Sequence, residues 1–385
     1  MTVKERWLAA IRLQPVDRLP FWPKLDVAYP NAQATPFQKM TPDAIHDWIG
    51  SDKHKGIAGC IRHTRTRTSV ETTQDNQSRR AVYRTPHGEL SLICKFDPRS
   101  RSWHPASFPV RSTEDVTLMT EVFEDVGVDL DPAALEKARD QAKEIGQDAV
   151  TTNAIGTSPL MDWVEWLAGV ENAHLLLMEH PDEVEGLFDA MHRVLLKTTT
   201  LLCENSPADL LYLMENTSTT LISPDQYRRH CLRHIQEYAR ITAEADRNLV
   251  LHMCGRLKAI LPDLAKIPAQ AFEAFTSPPV GNTTLLDGRT VCPDTCLVGG
   301  TNAVLWTKTA AEIIAGIQES LDELPHHRGI VVTSAGVMPP MCSPETIKQV
   351  GAWVRQYPAR NNGDQPAARA GRAASRVCVP KPSPT

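Results

Sequence analysis

The stretch "LVLHMCGRL", Leu249 to Leu257, is apolar over its first three residues and then sets a histidine and a cysteine two positions apart, just before a glycine. Successive residues of a strand point to opposite faces, so His252 and Cys254 share the face that Val250 continues inward. Such a pair can share one metal ion. It can equally be a hydrogen-bonded histidine beside a small buried thiol, because cysteine is among the most frequently buried residues. What surrounds the pair in the chain bears on both readings.

The run "NLVLHMC" (248–254) has five relatives downstream of residue 110: "AVTTNAI" (149–155), "LLYLMEN" (210–216), "QAFEAFT" (270–276), "CLVGGTN" (296–302) and "GIVVTSAG" (329–336). Amphipathic stretches separate them, among them "HPDEVEGLFDAMHRVLLKTTTLLCEN" and "SPDQYRRHCLRHIQEYARITAEA". The second opens with Ser223 as N-cap and Pro224 at the first helical position. Two more strand signals lie upstream: "RLPFWPKL" (18–25), after a first helix around 3–13, and "HKGIAGCI" (54–61), after a helix opened by Thr41-Pro42. Eight strands alternating with helices predict a (β/α)8 TIM barrel of the α/β class. An open doubly wound sheet would call for an early glycine-rich phosphate loop, and the sequence has neither G-x-G-x-x-G nor a Walker A pattern.

Residues 62–110 break the rhythm. "RTRTSVETT", "RRAVYRTPHGELSLICKFD" and "SWHPASFPV" predict an antiparallel β insertion near the N-terminus with a turn at His87-Gly88, serving as a lid or an interface that admits a homodimer. Its His63, Arg65 and Arg67 alternate as on a strand face, either a solvated edge or a docking surface for an acidic partner. The barrel is thus expected over 1–360. Residues 361–385 are rich in Ala, Arg, Pro and Ser without apolar periodicity, which predicts a disordered tail.

A chain of 385 residues with 42% hydrophobic content suffices for a large core. A formal net charge of −5 gives no overall pull toward nucleic acid or anionic membrane, which leaves a small molecule or another protein as the expected partner. The N-terminus lacks the apolar core of a secretory signal, and no window supplies the roughly 18 apolar residues of a membrane helix. The nine cysteines are odd in number and widely spread, which favours free thiols and a cytoplasmic location.

In a barrel of this kind the active site lies at the C-terminal ends of the strands, where Glu215, Asn216, His252, Cys254, Thr276 and Asn302 all fall. A catalytic zinc takes three protein ligands and keeps one position open, so His252 and Cys254 need a third donor. Cys342 in "AGVMPPMCSPETIK" follows the last strand and shares their rim. Cys292 and Cys296 in "VCPDTC" precede a strand and belong to the opposite rim, so Cys342 is the expected ligand.

Together, "ERWLAAIRLQPVDRLPFWP", a strand ending in "HMCG", and "TSAGVMPPMCSPETIKQV" resemble the uroporphyrinogen decarboxylase superfamily, and within it the zinc-dependent methyltransferases that work with corrinoid proteins. The resemblance runs to about residue 357. It implies a zinc site at His252 and Cys254 completed by a distant cysteine; the place that cysteine usually takes holds Gly336 here, six residues before Cys342. It also implies a methylcorrinoid supplied by a partner corrinoid protein and a small methyl acceptor or donor: a thiol, a folate, or a methoxy or methylamine compound. A histidine and two thiolates leave the ion nearly neutral, so that a bound substrate thiol loses its proton and stays nucleophilic. Glu215 and His252 are the expected catalytic pair, Glu215 as proton acceptor, displaceable ligand or partner of His252. Asp26, Asn216 and Asn302 are the remaining polar groups expected to contact the cofactor. The alternative is a decarboxylase-like enzyme or a non-catalytic binding barrel; against the decarboxylase, "PFWPKLDVAYP" carries no arginine for substrate carboxylates.

Overall fold

The computed structural model describes residues 1–98 and 102–361, and the expected tail lies outside them except for Asn361. Eight parallel strands form one sheet, in chain order β1 (Phe21–Trp22), β2 (His54–Gly56), and, after the insertion, β9 (Val150–Gly156), β10 (Leu210–Met214), β11 (Asn248–His252), β12 (Ala271–Phe275), β13 (Cys296–Gly299) and β14 (Ile330–Thr333). Their spatial order, β1-β14-β13-β12-β11-β10-β9-β2, is that of a TIM barrel, confirming all eight predicted strands. The seam between β1 and β2 is bridged where the Asp52 amide donates to the Phe21 carbonyl at 2.8 Å.

The insertion is antiparallel, as expected. β4 (Ser69–Gln74), β5 (Ser78–Thr85), β6 (Gly88–Asp97) and β7 (Ser102–Ser107) form one sheet, with the β5–β6 turn at His87. β3 (Ile61–Thr64) pairs with β8 (Gly127–Leu130). His63 lies exposed on this pair, and the turn after it is pinned by the Asp125 carboxylate, which accepts from the amides of Thr66, Arg67 and Thr68 at 2.8–3.0 Å.

Strand parity decides what faces the barrel axis. Trp22, Leu210, Tyr212, Val250, Ala271, Cys296, Val298 and Val331 pack together inside with Trp7 of the first helix, while Leu211, Leu213, Leu249, Leu251 and Phe272 face the helices. Trp22 stacks on His54 at 4.4 Å between centroids, and His54 Nε2 lies 2.9 Å from the Tyr212 hydroxyl, so aromatic rings pack the barrel interior. Residues one step further along the same inward rows rise to the C-terminal mouth.

Several strands end sooner than their sequence runs suggested. The chain turns through positive φ just past them, at Asn216 (46°), Gly255 (116°), Gly300 (85°) and Ala335 (66°). Gly255 is required: besides its φ, a Cβ there would lie 2.5 Å from Ser218 Oγ. The stretch expected as one helix after Ser223 is two, Pro224–His230 and Leu232–Glu244, broken at Cys231, whose buried thiol lies 3.3 Å from Ser158 Oγ. Among the described residues no helix is long and apolar enough to cross a membrane.

Candidate functional site

The inward rows of β1, β11 and β12 converge at the mouth. His252 is the last residue of β11 and pairs in register with Glu273 of β12. Parity with Val250 and Ala271 turns both side chains inward, where His252 Nδ1 hydrogen-bonds Glu273 Oε2. The other oxygen of Glu273 accepts from Lys24 Nζ at 2.8 Å, and Lys24 lies two residues beyond the inward-facing Trp22. Cys254 lies past the end of β11, yet its side chain still interacts with His252.

The charges in this row depend on one another. Burial opposes a charge on His252, but the contacts with Cys254 and Glu273 outweigh it and raise its pKa to about 9. For Glu273, burial favours the neutral acid, but Lys24 and His252 prevail and lower its pKa to about 2. Glu273 is therefore a buried anion between the protonated His252 and the half-buried Lys24.

A second arm approaches from β9 and β10. Asn216 Oδ1 accepts from the Cys254 thiol at 3.5 Å, and Asn216 Nδ2 donates to Glu165 Oε2 at 3.0 Å. Glu165 projects from a π-helical turn, Trp163–Leu167, after β9; such turns often accompany functional sites. The left-handed backbone of Asn216, uncommon away from glycine, is held by its amide, which donates to the His252 carbonyl at 2.9 Å.

The expected site residues separate into two groups. His252, Cys254 and Asn216 come together. The Glu215 carboxylate turns away: Oε1 accepts from the Ser158 amide at 2.7 Å and Oε2 from its hydroxyl at 2.6 Å. The carboxylate bonded to the His252 ring is Glu273. Burial raises Glu215 to about 7, and burial with the charges of Glu165 and Glu215 does the same to Asp162. Asp26 caps a turn, accepting from the amides of Ala28 and Tyr29 at 3.1 and 2.7 Å. Asn302 is held at both ends of its amide, donating to Ser277 Oγ and Pro278 O and accepting from Leu305 N at 3.0 Å. Glu273, Lys24 and Glu165 were not singled out from the sequence as site residues. The signal for Glu273 is a carboxylate at the inward parity of "QAFEAFT", opposite His252.

The donor set tests the zinc expectation. His252 and Cys254 adjoin, and a carboxylate on the other nitrogen of a ligating histidine is a frequent arrangement in metal sites. Cys342, however, is buried in the outer core, with its thiol pushed up to about 12 by burial and its carbonyl accepting from the Tyr29 hydroxyl. Among the described residues no three His, Cys, Asp or Glu side chains are grouped to hold an ion. The protein donors present do not fit a three-ligand zinc. Cys292 and Cys296 sit at the far end, buried, with thiols raised to about 11 and 12 by burial.

The mouth carries an apolar rim. Val27 (86% exposed), Val280, Val304, Val337 and Met341 (79%) follow β1, β12, β13 and β14.

A family profile described as uroporphyrinogen decarboxylase (URO-D) matches residues 107–357. No curated protein matches the chain in sequence. Among solved structures, a methyltransferase from Methanosarcina mazei is similar at 17% identity, covering 92% of this chain and 98% of that one with a TM-score of 0.57. A putative vitamin-B12 independent methionine synthase from Listeria monocytogenes is more distant, at 16% identity, 59% and 69% coverage and a TM-score of 0.35. The first of these shares the fold.

Proposed function

Since this chain belongs to the uroporphyrinogen decarboxylase (URO-D) family, we propose that it is an enzyme moving a methyl group between a corrinoid protein and a small acceptor or donor: a thiol, a folate, or a methoxy or methylamine compound. The observation that carries the reading is His252 beside Cys254 at the barrel mouth, with its ring oriented by Glu273 and Glu273 anchored by Lys24. The fold shared with a solved methyltransferase supports it. So do the exposed apolar side chains that follow β1, β12, β13 and β14, since a corrinoid carried by another protein has to be presented at the mouth.

The roles of the chain's own groups follow from the geometry. Glu273 fixes the ring of His252 and offsets its charge, so that the imidazolium and Cys254 present a rigid polar floor to the reacting methyl group. Asn216 ties that floor to Glu165 on the turn after the neighbouring β9. A preorganised floor of this kind lowers the barrier by positioning and by fixed charge. Among the described residues the donor set lacks a third protein ligand, so these roles belong to the side chains themselves.

The test is methyl transfer between methylcobalamin, or a methylated corrinoid protein, and a panel of thiols, folates, methoxy compounds and methylamines. His252→Ala is expected to lower the rate by several orders of magnitude. If no compound on the panel exchanges a methyl group with the corrinoid, the reading gives way to a binding barrel.

A further inference from the structure

Beside the Glu165 loop lies a cavity of about 400 Å³ between the barrel mouth and the insertion. Its walls include Trp103, His104 and Phe108 from the insertion side, Trp166 beside Glu165, and Leu221 from the loop after β10. Among the described residues Glu165 is the one carboxylate in its walls and no lysine or arginine lines it, although the Arg79 guanidinium lies 4.9 Å over the Trp103 ring. The Glu165 carboxylate accepts from Asn216 and from the Trp166 indole, so it is fixed in place, while a carboxylate has about four acceptor positions and retains free ones.

We propose that this cavity binds a small quaternary ammonium compound as the methyl donor, its cationic head against Trp166 and Phe108 and its charge matched by Glu165. The inference rests on the methyl-transfer reading and narrows its substrate class. Aromatic faces attract alkylated ammonium groups through the negative charge above the ring, and a quaternary head has no N–H, so it needs apolar walls with one counter-charge and few hydrogen-bond partners. An anionic thiolate or folate would instead meet a carboxylate in a largely apolar wall. The volume suits a molecule of choline or betaine size. Asn216 bridges Glu165 to Cys254, so the cavity is joined to the His252 floor through one intervening side-chain amide. In the transfer, the C–N bond breaks and nitrogen keeps its electron pair, leaving as a neutral tertiary amine. The methyl carbon bonds to the cobalt of the partner's reduced corrinoid, which supplies the new bond's electron pair.

The test separates binding from turnover. Calorimetry on the full chain compares choline with 3,3-dimethylbutan-1-ol, which has the same shape without the charge. Choline is expected to bind at least tenfold more tightly, and Glu165→Gln and Trp166→Leu are each expected to weaken it about tenfold with the chain still folded. Equal affinity for the uncharged compound, or choline binding indifferent to both variants, overturns the inference. Charge-selective binding with no methyl transfer to corrinoid from any donor supports the cavity assignment and defeats the methyl-transfer reading. Methyl transfer from thioethers or methoxy compounds without choline binding does the reverse.

Discussion

Lys24 Nζ lies 2.8 Å from Glu273 Oε1, across 249 residues of chain, and through Glu273 it holds the ring of His252. A lysine just past the first strand therefore acts on a histidine at the end of another. Glu273→Gln keeps the size of the side chain and removes the charge between Lys24 and His252. A carboxylate that orients a metal-ligating histidine is typically worth about 10–100-fold, and an orienting role of similar size is expected here without the metal. We expect a fall of that order in methyl transfer, with Lys24→Met giving a smaller one. Full activity in Glu273→Gln would assign the carboxylate to stability alone.

Zinc binding is expected to be weak in the natural chain, because among the described residues His252 and Cys254 stand without a third protein ligand. A Cβ added at Gly336 meets nothing within 4 Å, and its neighbour Ser334 accepts from the Lys24 amide. Gly336→Cys is therefore expected to raise zinc affinity at least tenfold, and Cys254→Ala in that background to abolish the gain. Metal analysis after dialysis against a chelator reads this out. Stoichiometric zinc in the natural protein that disappears in Cys342→Ala would show that the Cys342 loop swings inward.

At the opposite end, Asp52 is fully buried and accepts from Arg6 at 2.6 Å, Arg18 at 2.8 Å and the Phe21 amide at 2.9 Å. It sits at the β1–β2 seam. Removing one partner of a buried ionic group leaves the others uncompensated, at a cost of about 3–5 kcal/mol. Asp52→Ala should lose about that much stability in urea unfolding. A loss under about 1 kcal/mol would mean that Arg6 and Arg18 find other partners, Asp17 being the nearest for Arg6 at 2.7 Å.

Acid should destabilise the fold before the surface carboxylates titrate. Burial lowers His46, His54, His234 and His327 to about 4, so between pH 6.5 and 4 the unfolded chain binds protons that the folded one refuses, and stability falls as pH falls. Glu215 and Asp162, raised to about 7, act in the opposite sense, because the folded chain holds their protons in the same window. Four imidazoles against two carboxyls leave a net loss on acidification, on the order of 1–3 kcal/mol from pH 6.5 to 5. Urea midpoints across that range measure it. A midpoint that rises on acidification would show the carboxyls to dominate.

The order of elements was legible in the sequence because each depends on local spacing. Period-two runs, caps such as Ser223-Pro224, and breaks between them mark eight strands with helices between, and eight parallel strands with helical crossovers close in few ways. Parity within a single strand also set His252 inward with Val250. What pairs with His252 was a tertiary matter. Glu273 meets it because β11 and β12 are neighbours in a particular register, and Lys24 reaches Glu273 because the first strand's inward row rises to the same mouth. Side chains beyond the strand ends follow the turn of their loops, which strand parity does not govern. Positive φ at Asn216 lies beside a Glu215 turned back to Ser158, and packing in the outer core draws Cys342 away from the axis, though sequence position put both on the catalytic rim. Short-range periodicity thus determined the barrel and the inward pair, while ligand completeness and charge partners rest on contacts between residues tens to hundreds of positions apart, which only the closed sheet brings together.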